Sequence, residues 1–214
     1  LEVGAGVTDV KPGDRVVYAG GPPGSYATHR LFPASRLVKI PDGISDEIAA
    51  AVLLKGMTVE YLLNRTYPVK AGEMILFHAA SGGVGQLAGQ WGNHMGATMI
   101  GVAGGADKCA LALNNGYAHA IDRKTEDIAA RVNDITGGAG VPVVYDPIGA
   151  ATFDASLKSL APRGFFVSFG SVTGEAPAVA PSTLQKAGSI YFTRPTLVTY
   201  AATREELDMS ANAV

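Results

Sequence analysis

One cysteine, Cys109, stands alone in 214 residues. That excludes an intrachain disulfide and gives no sign of an oxidising compartment, and Cys109 reads as a small packing residue on a helix. Lysine and arginine number 17 against 19 aspartates and glutamates, so the chain lacks the basic excess of a nucleic-acid surface. No apolar run reaches the length of a membrane helix. Internal repeats and low-complexity segments are missing too. What remains is 47% hydrophobic with a net charge of −2, the balance of a soluble globular domain, for which the cytoplasm is the default expectation. The first residue is not Met, so a targeting peptide is beyond reach of the sequence.

Glycine, by contrast, is plentiful, and its placement is informative. Met74-Ile-Leu-Phe-His78 is an apolar run of strand length. Ala79, Gly82 and Gly85 follow in an A-x-x-G-x-x-G spacing, and Val84, Leu87, Ala88, Trp91 and Met95 then recur on one helical face. Small residues between strand and helix let the backbone turn sharply and let a pyrophosphate approach the helix N-terminus. Thr98-Met-Ile-Gly-Val102 supplies a second strand and completes a βαβ unit, the pattern of a dinucleotide site.

At the tip of that second strand, NAD enzymes place an acidic residue on the ribose 2′-hydroxyl. Here Ala103-Gly-Gly-Ala106 stands there, with no carboxylate before Asp107 and a cation, Lys108, after it. Small residues beside a cation suit a 2′-phosphate, received by Lys108 and backbone N–H groups. Arg123, after the strand Ala118–Ile121, is placed to form the other side of a phosphate clamp. NADP(H) is the cofactor favoured.

The alternation continues. Thr125 is the expected N-cap of a helix carrying Ile128, Val132 and Ile135, stopped by Gly137-Gly138. Val141–Tyr145 reads as a strand. Phe153, Leu157 and Leu160 line a helix ended by Gly164, Phe165–Phe169 is a strand, Thr183–Ala187 a short helix, and Ser189–Phe192 a sixth strand. Six strands with intervening helices imply a doubly wound parallel α/β sheet. Residues 1 to about 45 differ, being rich in Gly and Pro with short alternating runs. Lys11–Tyr18, Tyr26–Arg30 and Leu37–Ile40 read as strands of a β domain, and Ser45 as the cap of a connecting helix. The expected division is a partial β domain at 1–50, a nucleotide-binding domain at 51–200, and at 201–214 the start of a return to the β domain.

The order of Gly13-Asp-Arg-Val-Val17, Leu53-Leu-Lys-Gly-Met-Thr58, His78–Gly85, Val144-Tyr-Asp146, Ser168-Phe-Gly170 and Thr193-Arg-Pro195 resembles the zeta-crystallin type of NADPH:quinone oxidoreductase, in the medium-chain dehydrogenase/reductase superfamily. The resemblance covers essentially the whole chain. It implies a Rossmann domain binding NADPH plus part of a GroES-like β domain, and a chain truncated at both ends, so that part of the substrate cleft lies outside it. Zinc-bearing relatives carry a four-cysteine loop where this chain has Ala19–Gly24, and a zinc ligand near the position of Lys55. No metal is expected. Without a Lewis acid, hydride transfer from NADPH C4 to a quinone is the implied reaction. The alternatives are an enone or enoyl-thioester reductase of the same superfamily, and a nucleotide-binding protein without turnover, either crystallin-like or RNA-binding.

The resemblance also distributes roles. Thr58 and Tyr61 fall near the nicotinamide and its ribose, with Lys55 a further candidate. Gly82, Gly83 and Val84 face the pyrophosphate, and Gly104, Gly105, Ala106, Asp107 and Lys108 surround the 2′-phosphate. Ile148, Phe169, Gly170, Ser171, Val172, Thr173, Pro195, Thr196 and Leu197 line the nicotinamide end. Arg123 departs from the family, where Tyr is usual. His78 is expected to pack beneath the loop. A homodimer paired through the sixth strand completes the set of expectations.

Overall fold

The computed structural model describes residues 2–214. Its compact units divide at Glu60/Tyr61 and again at Thr196/Leu197, so the C-terminal residues belong with the N-terminal ones.

In the first unit, β1 (Val16–Val17) pairs antiparallel with β2 (Val38–Lys39). Asp14 shapes the turn before β1: its carboxylate accepts the Lys11 N–H at 3.1 Å and pairs with Lys39 at 3.2 Å. The strand expected at Tyr26–Arg30 does not form. That segment is a run of bends with Tyr26 fully exposed. Apolar alternation gives a strand only where a ladder partner takes up the backbone groups, and none among the described residues does so. Arg30 organises the loop instead, donating to Tyr18 Oη at 2.9 Å and to the Pro22 carbonyl at 3.0 Å. Helix α1 (Asp46–Glu60) starts as the sequence predicts, with Ser45 Oγ accepting the Ile48 N–H at 3.2 Å. Its Leu53 and Met57 pack against Ala201, just after the short helix Leu197–Tyr200, and against Leu207 of the helix Arg204–Ala213.

The second unit opens with a wide π-helical turn, Tyr61–Thr66. Tyr145 Oη donates to the Leu62 carbonyl there at 2.9 Å. The strands β3 (Met74–His78), β4 (Thr98–Ala103), β5 (His119–Asp122), β6 (Val141–Asp146), β7 (Leu160–Ser168) and β8 (Tyr191–Thr193) form one parallel sheet in the order β5-β4-β3-β6-β7-β8. Chain order thus reverses between β3 and β6, which is the doubly wound Rossmann arrangement with its crevice at the strand C-terminal ends. Both faces are covered: Leu76, Ile100 and Val144 lie in one core cluster with Phe166, while Ile75, Phe77, Met99 and Tyr145 are also fully buried. Burial on both faces is why these strands read as continuous apolar runs.

The connecting helices are α2 (Gly83–His94), α3 (Ala106–Asn114), α4 (Ile128–Ile135), α5 (Phe153–Ser159) and α6 (Pro181–Lys186). Three expectations need correction. The buried edge of α2 is Gly85, Ala88, Gly89 and Gly92, and of the predicted face only Ala88 is fully buried. The helix presses its glycines onto the sheet, and Val84, Leu87 and Trp91 flank that seam. Asp127, not Thr125, caps α4, its carboxylate accepting the Ala130 N–H at 2.8 Å. Glu126 explains the offset, because it is drawn back to the Asp122 N–H at 2.8 Å and to Arg131 at 2.7 Å. Gly164 ends no helix; α5 stops at Ser159 and Gly164 sits inside β7, in an irregular stretch where Arg163 has φ +64°.

Candidate functional site

The turn between β3 and α2 leaves the backbone donors at the helix start open. Ala79 takes a left-handed φ of +54°, a conformation that costs an L-residue roughly 1–2 kcal/mol. Gly82 N–H closes the turn onto the Ala79 carbonyl at 2.8 Å, and no side chain caps the first turn of α2. Gly82 and Gly83 are exposed, so the helix N-terminus faces solvent with its dipole end open. Gly85 is fixed by close approach: a Cβ there would stand 2.6 Å from the Ala80 carbonyl oxygen. Tyr117 Oη donates to the Gly85 carbonyl at 2.7 Å from a buried position, and burial pushes that phenol above its ordinary range.

At the tips of β4 and β5 the structure brings Arg123 over Gly104, with Nε and one terminal nitrogen each 3.2 Å from where a Cβ would stand. Lys108 is exposed on the first turn of α3. Two residues that the sequence reading passed over belong here. Lys124 Nζ lies 3.6 Å from a Cβ position at Gly105, and Asp122 Oδ1 accepts the Gly105 N–H at 2.8 Å and the Lys124 N–H at 3.0 Å. The turn therefore does meet a carboxylate, delivered from β5, and one of its backbone donors is already engaged. Those two N–H groups hold the Asp122 carboxyl below the ordinary carboxylate range, with the Lys124 and Arg123 charges acting in the same direction against partial desolvation. Cys109 nearby is half-buried, and desolvation followed by Asp122 and Glu126 pushes its thiol up, away from nucleophilic character.

The third cluster lies at the ends of β6 and β7. Pro147–Thr152 and Phe169–Gly174 are sewn together by Val172 N–H to the Pro147 carbonyl at 3.3 Å, Thr173 N–H to the Ile148 carbonyl at 2.9 Å, and Ala150 N–H to the Gly174 carbonyl at 3.1 Å. Thr173 Oγ1 adds bonds to Ile148 and Ala151. Val172 remains 78% exposed, which leaves an apolar side chain on the open side of the loop. Beneath it lies a buried polar chain. Asp146 accepts from Ile148 N–H at 2.7 Å, Thr152 Oγ1 at 2.7 Å and Ser156 Oγ at 2.7 Å, and Ser156 Oγ meets His78 Nε2 at 2.9 Å. Ser156 has one proton and gives it to the carboxylate, so His78 carries its proton on Nε2 and donates to Ser156. His78 Nδ1 is then a bare buried acceptor with no partner. Both aspartates bond their own chain two residues on, Asp122 to the Lys124 N–H and Asp146 to the Ile148 N–H, an Asx turn at a strand end that the sequence reading did not pick out.

Burial pushes the His78 imidazole below its ordinary 6.5, opposed by Asp146. The fold holds the neutral ring, so the unfolded chain takes up the proton first as pH falls. Stability from this group is full above about pH 6.5 and drains away below it. Urea unfolding midpoints are expected to fall between pH 7 and pH 5.5, with a shallower fall in His78→Gln. Equal slopes in the two proteins would remove His78 as the cause.

Tyr61 is buried at the start of the same unit. Lys55 and Thr58 belong to the other unit, where each bonds back to its own helix, Lys55 Nζ to the Ala51 carbonyl at 2.7 Å and Thr58 Oγ1 to the Leu54 carbonyl at 2.8 Å. Pro195 is buried, Thr196 is exposed, and Leu197 falls across the division between units.

Residues 83–211 match the family model described as zinc-binding dehydrogenase. The chain belongs to that family. It is 47% identical over 210 residues to a quinone oxidoreductase of Pseudomonas aeruginosa, covering 98% of this chain and 65% of that protein. The solved quinone oxidoreductase of Escherichia coli, complexed with NADPH, superposes with a TM-score of 0.96 at 46% identity, over 98% of this chain and 64% of the other. A 2-haloacrylate reductase of a Burkholderia species is 43% identical over 210 residues, 97% of this chain and 63% of that protein. The chain thus spans a little under two thirds of the length of these relatives. Within this family its fold is the α/β class expected, a Rossmann sheet together with part of a GroES-like β domain.

Proposed function

We propose that the chain is the cofactor-binding part of an NADPH-dependent quinone reductase that passes hydride directly to a quinone or conjugated carbonyl without a metal. The observation that carries this reading is the pairing of an open glycine turn at β3–α2 with cations over the glycines at the β4 tip. When bound, NADPH supplies the hydride. The residues present fit it: the α2 N-terminus receives the pyrophosphate, and Arg123 with Lys108 pairs with the 2′-phosphate. Gly170, Ser171 and Thr173, in a loop tied to Ile148 through Thr173, present main-chain groups to the nicotinamide end, so that orientation is set before substrate arrives.

Zinc is a poorer fit, although the family is described by it. Among the described residues no three His, Cys, Asp or Glu side chains gather to hold a metal ion, and Lys55 offers an ammonium. Cys109 is the only thiol. The second reading, reduction of an activated double bond, draws on the likeness to the 2-haloacrylate reductase. A homodimer through the edge strand β8 and a cytoplasmic location complete the proposal. No helix among the described residues is long and apolar enough to cross a membrane.

NADPH at one hundred times its Kd is expected to stabilise the chain by about 2.7 kcal/mol, a rise in Tm of roughly 5–10 °C for a protein of this size. NADH at the same concentration gives a much smaller rise, and Arg123→Ala narrows the gap. Equal shifts with both nucleotides overturn the cofactor preference. Comparing quinone with crotonyl-thioester turnover separates the two reductase readings.

A further inference from the structure

The carboxylate at the end of β5 is out of place beside a phosphate site unless it does something there. Asp122 spends one oxygen on two backbone donors, Gly105 N–H and Lys124 N–H. Gly105 precedes α3 as its N-cap at φ +102° and bears no side chain that caps the helix. Its conformation is held from outside, by the neighbouring strand. The same carboxylate fixes the backbone of Lys124, whose ammonium folds back over Gly105 to within 3.6 Å of the Cβ position, while Arg123 lies over Gly104. Two consecutive cations thus cover two consecutive glycines.

We propose that Lys124 is a specificity-determining ligand for the 2′-phosphate of the cofactor and that Asp122 is the positioning residue that holds both Lys124 and the β4–α3 turn in place. This rests on the NADPH reading above. In a Rossmann sheet the tip of β4 is where the adenosine ribose lies, and its 2′-substituent meets whatever covers that tip. Arg123 offers a planar fork and Lys124 a compact point charge, so a tetrahedral phosphate is met by two kinds of donor. The carboxylate does not confront the phosphate bare, because one oxygen carries two N–H bonds and both cations flank it. Its own negative charge is a cost that its hydrogen bonds outweigh, which separates the two roles experimentally.

The probes are adenosine 2′,5′-bisphosphate and 5′-AMP, which differ only in the 2′-phosphate and make no use of the nicotinamide end or of quinone turnover. Calorimetric titration of the chain is expected to show tighter binding of the bisphosphate. Lys124→Ala keeps its backbone N–H and is expected to weaken the bisphosphate about tenfold, the loss of one charge-assisted contact, with 5′-AMP changed by less than about twofold. Asp122→Ala weakens the bisphosphate comparably, whereas Asp122→Asn, which keeps an acceptor oxygen and sheds the charge, retains or improves it. A Lys124→Ala variant that binds the bisphosphate within about twofold of the parent, or loses both ligands equally, overturns the Lys124 assignment. An Asn variant as weak as the Ala variant overturns the positioning role of Asp122. A parent chain that does not prefer the bisphosphate removes the NADPH reading itself, and this assignment with it.

Discussion

A Gly85→Ala variant is expected to lose about 3 kcal/mol of stability, the upper end of the range for overpacking a rigid site, and to melt roughly 6–12 °C lower. The added methyl would meet the carbonyl oxygens of Ala79 and Ala80 and the Ala80 carbonyl carbon, the last at 2.7 Å. All three are backbone, so no rotamer change relieves the contact. Relief requires α2 to move off the sheet, which also displaces its N-terminus from the anion position. Dinucleotide affinity should therefore fall with stability. Gly82→Ala is the matched comparison, since its methyl meets only the Ala79 carbonyl oxygen at 3.1 Å and needs a shift of a few tenths of an ångström. Thermal melts of the two variants check the argument. If Gly85→Ala melts within about 2 °C of the parent, under 1 kcal/mol by the same scaling, the helix is not clamped as described.

The second large effect belongs to Asp146. Asp146→Ala leaves two hydroxyls, Thr152 and Ser156, and the Ile148 N–H without their acceptor in a buried site. The expected cost is about 3–5 kcal/mol, the range for breaking a buried hydrogen-bonded charge network. Asp146→Asn should cost less and do something more specific. Its amide group can donate to Ser156, which then turns its proton toward His78 Nε2 and moves the imidazole proton to Nδ1. Urea unfolding reads the first effect. Nitrogen-15 shifts of His78 read the second, and an unchanged tautomer in the Asn variant would show that Ser156 does not set it.

The strands and the glycine turn were legible because each leaves a local mark. A strand buried on both faces is an apolar run, as in Met74–His78, and a tight strand-to-helix turn needs small residues. The seam of α2 was misread because Gly85, Gly89 and Gly92 carry no hydrophobic signal, although they are the residues that let the helix close onto Tyr117 and Met99. At Tyr26–Arg30 the alternation was present but the ladder partner was not, and pairing is a property of two segments. The cationic side of the site was half visible: Lys108 and Arg123 stood out by position, whereas Lys124 and Asp122 matter through a turn that only the folded backbone displays. His78, Ser156 and Asp146 come from three distant segments, and polar burial of that kind has no period to read.

The bonds joining Pro147–Thr152 to Phe169–Gly174 have a kinetic consequence. Two loops tied at Pro147, Ile148 and Gly174, with Gly149 pressed against the Gly174 backbone, are coupled, because opening either one breaks bonds to the other. Anchored from below by the Asp146 carboxylate, they are expected to move as one plate, with a single relaxation time. Amide hydrogens on both loops should then exchange with solvent in step, and exchange at unrelated rates would show that the two loops open separately.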